Sequence, residues 1–336
     1  MGSHSKIITV QALRAVAALA VLIRHAGFRE YQFLAAGVDL FFVISGFIMV
    51  VSCWPEFGKP WAPRRFAVRR IVRIVPLYWL VTLFMMVLLC FGKNVVPEPV
   101  RILESLFFYP FATGVPVLPA GWTLNFEMMF YAVFALALVM RPRPAVIAVS
   151  TTLVTLVILG WVLGPVGRNN VAFPLSLEFI FGMTIGVAHC EGARVPKSLG
   201  ALAIIFGFLA IGFSQKLGLI SGGGDPMRVL VWGVPAAFVV AGATLAQWIW
   251  RPFVNRPAVL LGDASYALYL FHQPLIMILA GLGYGRSSWP FVIAICIMAS
   301  ISIHFLIERP ILGWIRSKPS VELGRSRAYQ QALILR

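Results

Sequence analysis

The sequence predicts an all-α, polytopic membrane protein with about ten transmembrane helices. Hydrophobic residues make up 60% of the 336 residues, and the mean hydropathy is +0.88. Charged residues make up only 12%, whereas a soluble domain usually has about 25%. Apolar runs recur along the whole chain, with lengths near the roughly 20 residues that a helix needs to cross a bilayer.

The apolar runs and their connections divide the chain. Candidate spans lie near residues 7–24, 37–53, 72–91, 121–140, 145–164, 172–189, 199–214, 228–248, 258–280 and 289–307. The longest connection, 92–120, contains PEPVRILESLFFYPF and predicts an interfacial or re-entrant helix. We therefore expect a transmembrane domain over residues 1–316 and a basic cytoplasmic tail over residues 317–336.

The distribution of lysine and arginine predicts the orientation. The net charge of +16 comes from residues in the loops between apolar runs, which is typical of positive-inside topology rather than of nucleic-acid binding. With the N-terminus in the cytoplasm, 19 lysines and arginines fall inside and 8 fall outside. Both termini are therefore predicted to be cytoplasmic, and the first span is expected to be retained rather than cleaved as a signal peptide.

The cysteines give no indication of a metal site. The four are scattered, and each lies within or at the end of an apolar run: Cys53, Cys90, Cys190 and Cys296. Because their spacing is not that of metal ligands, we interpret them as small apolar packing residues and expect no bound metal.

The first span contains two basic residues whose spacing is close to a whole number of helical turns. In LRAVAALAVLIRHAG, Arg14 and His25 are eleven residues apart. At about 100° per residue this returns to within ~20° of the same stripe of a helix, with roughly 16 Å along the axis. Arg14 is thus predicted in the cytoplasmic half and His25 near the outer end. The neighbouring Arg24 is expected to snorkel to the interface or to contact lipid headgroups.

Several ionisable residues inside the spans are candidates for function, because charge in the hydrocarbon region is costly. By depth, five fall in the outer half of the bilayer: His25, Asp39, Glu127, Glu178 and His272. Trp122 lies at the outer interface, and Tyr131 follows Glu127 on one helix face. Such a set suits either acid–base catalysis or the proton relay of a transporter. No internal repeat of the kind many transporters have is apparent.

The inner half has a cationic cluster instead. The stretch RRFAVRRIVRIVPLYW concentrates five arginines at the start of the third span. Arg69 and Arg73 are i,i+4 neighbours, so they present one face of a helix. Membrane lipids are one expected partner of such a face, and a polyanionic substrate is another.

Seven stretches, in order from residue 13 to residue 310, resemble the acyltransferase-3 family of integral membrane acyltransferases, and in particular its exopolysaccharide-acetylating, ExoZ-like branch. They are LRAVAALAVLIRHAG, GVDLFFVISGF, RRIVRIVPLYW, GWTLNFEMMFY, LEFIFG, SYALYLFHQP and IERP. We expect no hydrolase domain of the SGNH type, which some relatives carry, after the tenth span.

The resemblance implies a multi-pass O-acyltransferase of the bacterial inner (plasma) membrane. Its donor would be cytoplasmic acetyl-CoA or another acyl-CoA, and its acceptor a sugar hydroxyl of an exopolysaccharide or lipid-linked oligosaccharide. The alternative is a transporter or flippase for a lipid-linked sugar.

The resemblance also assigns roles to residues. It implies that His25 is catalytic, and either Asp39 or Glu127 is expected to orient it as a general base. The expected donor-binding residues are Arg14, Arg69, Arg70 and Arg73, which suit the phosphates of coenzyme A. Four residues are expected to bind the acceptor or to support the site: Trp122, Tyr131, Glu178 and His272.

Overall fold

The computed structural model describes residues 3–109, 114–162, 174–220, 226–246 and 256–316, and every regular element among them is a helix. The all-α prediction is confirmed for this part of the chain. The predicted tail, residues 317–336, lies outside the described residues, as do the predicted span ends at 164, 172 and 248.

Thirteen α-helices follow one another in the described ranges. They are α1 Ser3–His25, α2 Ala36–Cys53, α3 Ala62–Val87, α4 Pro99–Leu106, α5 Trp122–Ala137, α6 Pro142–Val162, α7 Glu178–Cys190, α8 Lys197–Ser214, α9 Val234–Leu245, α10 Arg256–Asp263, α11 Ser265–Gly281, α12 Trp289–Ile303 and α13 Arg309–Arg316. Three π-helical segments adjoin α3, α9 and α12, at Leu88–Gly92, Val229–Gly233 and His304–Glu308.

Six described segments are long and apolar enough to cross a membrane. They are Ile8–His25, Gln32–Glu56, Ala62–Gly92, Pro142–Val162, Lys197–Ser214 and Arg286–Gly313. The pair α10–α11, which bends by 69°, is either a seventh, broken span or a re-entrant segment. Two apolar helices are shorter, Pro174–Cys190 and Val229–Leu245. The chain is therefore multi-pass, while the count of ten and the orientation stay predictions, because the remaining helices are too short to be counted by length.

Close packing of α2 against α7 sets the centre of the bundle. A Cβ atom on Gly182 would lie 2.0 Å from the carbonyl oxygen of Val43, and one on Gly46 would lie 2.2 Å from that of Phe179. Only glycine lets the two backbones approach this closely, as small residues do between membrane helices. Helix α2 is consequently buried along most of its length.

An aromatic cluster joins α5 to this pair. Phe130 stacks on Phe179 with ring centroids 4.2 Å apart and planes 9° apart, and Phe42 contacts the same ring at 4.8 Å. Offset and tilted aromatic pairs add to the free energy of burial. The cluster fixes the rotation of α5, so that Glu127 and Tyr131 face α2.

The long connection after α3 folds back onto that helix. Its predicted helix is α4, whose end is held by Tyr78, which donates a hydrogen bond to the Ser105 carbonyl at 3.1 Å. Trp79 donates through Nε1 to the Leu106 carbonyl at 2.8 Å. The Ser105 hydroxyl accepts from the Val117 amide at 2.9 Å, which brings the chain to the start of α5.

Candidate functional site

Helix α1 contributes residues to the linings of two cavities. Arg14 lines one of about 110 Å³, and His25 lines another of about 260 Å³. The helix is continuous from Ser3 to His25, so the eleven-residue spacing directs both side chains along one stripe. We call the first the arginine cavity and the second the histidine cavity.

The arginine cavity is lined by residues from α1, α2, α3, α5 and α11. Its polar lining includes three arginines with one carboxylate: Arg14, Arg70, Arg73 and Glu127. Within the described part of the chain, the side chains of Arg14 and Arg73 make no hydrogen bond or ion pair. Arg70 places its guanidinium 5.5 Å from the Phe66 ring centroid and 5.8 Å from that of Tyr131. The cavity therefore has a surplus of positive charge and suits a polyanion.

Glu127 is held on the wall of the arginine cavity. It accepts hydrogen bonds from the hydroxyls of Tyr131 and Ser45, the latter at 3.0 Å. Those two hydroxyls are 3.3 Å apart. Depth along the spans predicts Glu127 and His25 in the same outer half of the bilayer, but the structure places them in different cavities. Glu127 and Tyr131 thus belong with the arginines.

The histidine cavity contains two imidazoles whose ring centroids are 5.0 Å apart. Nδ1 of His25 lies 2.8 Å from the Val21 carbonyl, and Nδ1 of His272 lies 3.2 Å from the Leu268 carbonyl. A carbonyl only accepts, so Nδ1 carries the proton in each ring and Nε2 of the neutral ring has a free lone pair. His272 Nε2 is buried without a hydrogen-bond partner among the described residues. Two proton acceptors therefore stand in one cavity.

Trp122 and Gln273 also line the histidine cavity. The Gln273 side-chain oxygen accepts a hydrogen bond from the Ala120 amide at 2.9 Å, which ties α11 to the residues that precede α5. An indole face beside amide and imidazole groups is a surface on which a sugar ring can stack while its hydroxyls are hydrogen-bonded.

Val38 and Tyr269 line both cavities, so the two cavities are adjacent at this junction. The hydroxyl of Tyr269 is 2.8 Å from that of Thr123, which holds the tyrosine side chain there. Groups bound in the two cavities would therefore be neighbours. That arrangement allows a donor and an acceptor to be bound separately.

Asp39 has a different partner from the one expected. It binds Arg228 through hydrogen bonds of 2.7, 3.0 and 3.3 Å, and both side chains are almost completely buried. Glu178 is fully buried beside this pair and close to Gly233. Neither Asp39 nor Glu178 lines either cavity. Among the described residues no hydrogen bond joins His25 to Asp39 or Glu127, and the Val21 carbonyl, one helical turn earlier, binds its Nδ1. The role of either carboxylate in orienting His25 stays a prediction.

Arg69 is also separated from the expected donor-binding set. It binds Glu56 through two hydrogen bonds, of 2.8 and 2.6 Å, and Arg65 lies 3.6 Å from the same carboxylate. Arg69 is one residue from Arg70 and so points about 100° away around α3. It does not line the arginine cavity.

Sequence reasoning missed Arg228 and Ser45. Arg228 lies at the start of an apolar run, where an arginine is a candidate partner for a buried carboxylate such as Asp39. Ser45 gave no signal, because serine is common in membrane helices. Among the described residues, no group of three or more histidine, cysteine or carboxylate side chains is arranged to hold a metal ion.

Comparison with known proteins decides the family. The model of the acyltransferase domain family, Acyl_transf_3, matches residues 7–308. The chain belongs to this family. The family model covers all the helices that form the two cavities, so the resemblance carried by the seven stretches is confirmed. The protein is a multi-pass membrane acyltransferase.

Three relatives show the range of this acyltransferase family. The exopolysaccharide production protein ExoZ of Rhizobium meliloti (strain 1021) is 36% identical over 295 residues, which are 83% of this chain and 89% of that protein. The putative peptidoglycan O-acetyltransferase YrhL of Bacillus subtilis (strain 168) is 27% identical over 355 residues, and the O-acetyltransferase OatA of Staphylococcus aureus (strain NCTC 8325 / PS 47) is 24% identical over 341. These matches cover 92% and 89% of this chain but only 55% and 56% of the two relatives. No solved structure matches the chain.

Proposed function

We propose that this acyltransferase transfers an acetyl group from cytoplasmic acetyl-CoA to a sugar hydroxyl of an exopolysaccharide or lipid-linked oligosaccharide in the bacterial inner membrane. The observation that carries the proposal is the pair of adjacent cavities that share Val38 and Tyr269 in their linings, one with three arginines and the other with two histidines. The name of ExoZ, an exopolysaccharide production protein, favours this class of acceptor.

The donor binds at the arginine cavity in this proposal. Coenzyme A carries several phosphate charges, and planar guanidinium groups bind phosphate through paired hydrogen bonds. Arg14, Arg70 and Arg73 supply those groups, and the long thin pantetheine arm extends toward the junction. Arg69 is excluded from this set because Glu56 binds both of its terminal nitrogens.

The acceptor hydroxyl is activated by His25. Its Nε2 takes the hydroxyl proton while the oxygen attacks the carbonyl carbon of the thioester. The carbon–sulfur bond then breaks, and the proton on Nε2 passes to the leaving thiolate. A base whose Nδ1 is fixed by a backbone carbonyl keeps one tautomer and one orientation throughout. Trp122 and His272 bind the sugar beside it.

Purified protein, acetyl-CoA and an oligosaccharide acceptor test the proposal directly. We expect release of the free thiol together with a product heavier by one acetyl group. His25→Gln keeps a polar side chain that cannot take the proton, so turnover should fall by about 10²–10⁴-fold. His304→Gln is the matched control, because His304 lines neither cavity and a glutamine can still donate to Glu308. Wild-type turnover by His25→Gln would refute the assignment.

A further inference from the structure

Arg24 is a cation of the histidine cavity whose charge no described residue neutralises. It lines that cavity beside His25, and its Nε is buried without a hydrogen-bond partner. Its side chain makes no hydrogen bond or ion pair within the described ranges. The sequence suggested a lipid-facing, snorkelling residue at this position. A half-buried guanidinium that lines this cavity beside His25 points to a ligand in the cavity instead.

The surroundings of Arg24 are cationic. The charged side chains that influence it are Arg29 and Arg228. The polar lining of the cavity consists of arginine, histidine, glutamine and tyrosine, with no aspartate or glutamate among the described lining residues. The cavity as a whole is therefore suited to negative charge.

Other arginines near the same end of the bundle are neutralised by the chain itself. Arg228 is bound by Asp39, and Arg286 is bound by Glu30. The chain thus provides a carboxylate for Arg228 and another for Arg286, but no described carboxylate pairs with Arg24. Desolvating a guanidinium N–H without an acceptor is unfavourable, so an anion that enters the cavity gains both a charge partner and a hydrogen bond.

We propose that the acceptor is an anionic glycan whose carboxylate or phosphate binds Arg24 while the reacting hydroxyl lies at His25. The proposal rests on the function proposed above and adds the charge class of the acceptor. Both anions fit the planar, forked guanidinium. A carboxylate would belong to the sugar itself, whereas a phosphate would belong to the link between a sugar and its lipid carrier.

The test compares three acceptors of equal sugar length: a neutral oligosaccharide, one that contains a uronic acid, and one that carries a phosphate at its reducing end. For each, kcat/KM is measured with acetyl-CoA, and binding is measured separately by tryptophan fluorescence without a donor. The wild type should prefer one anionic acceptor over the neutral one by about 10- to 150-fold, the size of one charge-assisted contact.

The variants assign that preference to one side chain. Arg24→Gln should abolish the preference while turnover of the neutral acceptor is retained, and Arg24→Lys should restore part of it through the charge alone. Arg29→Gln is the matched control, because it removes a neighbouring, exposed cation that does not line the cavity. It should keep the preference.

The outcomes separate the two anions and the two proposals. Preference for the uronic acid identifies a sugar carboxylate, and preference for the phosphate identifies the lipid linkage. Equal binding and turnover of all three acceptors by the wild type would overturn the proposal. So would an Arg24→Gln variant whose kcat/KM falls by the same factor for all three acceptors. Charge-selective binding without any acetyl transfer would contradict the proposed function and leave the anion site standing.

Discussion

The buried pair of Asp39 and Arg228 makes a strong prediction about stability. Three hydrogen bonds join the two groups, whose side chains are 0% and 3% exposed. Removing one member of such a pair leaves the other charge buried and uncompensated, which costs about 3–5 kcal/mol. We therefore expect Asp39→Asn and Arg228→Gln each to lower the free energy of unfolding by about that amount, toward the lower end for Asp39→Asn because Glu178 can replace the lost counter-charge.

Unfolding in mixed detergent micelles measures this effect. The double variant Asp39→Asn with Arg228→Gln removes both charges, so it should be less destabilised than the sum of the singles. Combining Asp39→Asn with Glu178→Gln removes both nearby carboxylates and should be worse than Asp39→Asn alone. Glu191→Gln breaks the exposed pair with Arg143 and should leave stability near that of the wild type.

A contrary result would restore the catalytic role predicted for Asp39 from sequence. In that case Asp39→Asn would unfold like the wild type, and its kcat would fall by about 10²–10⁴-fold, as for a group that acts in proton transfer. The additivity of the double variant provides a second criterion. Strictly additive losses would mean that the two side chains do not stabilise each other.

Three further predictions concern the arginine cavity and the topology. Arg73→Ala should raise the KM for acyl-CoA by roughly 10- to 150-fold, because a phosphate contact is lost. Arg69→Ala is the control and should leave this KM unchanged. An equal rise in KM for the two variants would contradict the assignment. Glu127→Gln should lower the KM for acyl-CoA, because it removes the one carboxylate among the described residues that line the arginine cavity. An unchanged KM in steady-state kinetics would refute this. Cysteines introduced at Lys59 and Lys216 should react with impermeant reagents from opposite sides of the membrane, and labelling from one side would overturn the predicted orientation.

The sequence by itself determined the class of the protein and identified most of the residues that line the candidate site. A mean hydropathy of +0.88 and recurring apolar runs require a helical membrane protein, because a helix satisfies its own backbone groups in lipid. The helical repeat put Arg14 and His25 on one stripe, since eleven residues are close to three turns. Seven motifs in order gave the family. These are local properties, and periodicity and composition are sufficient for them.

Tertiary structure decided which of those residues meet. Depth along a span does not give the rotation of a helix about its axis, and only packing between glycines and aromatic rings fixes that rotation. For this reason Glu127 faces the arginines instead of His25. Asp39 is bound to Arg228, which is 189 residues later in the chain, and no local pattern joins two such positions. The sequence identified the charged groups, and the packing of the helices determined which of them are neutralised within the chain and which face a cavity.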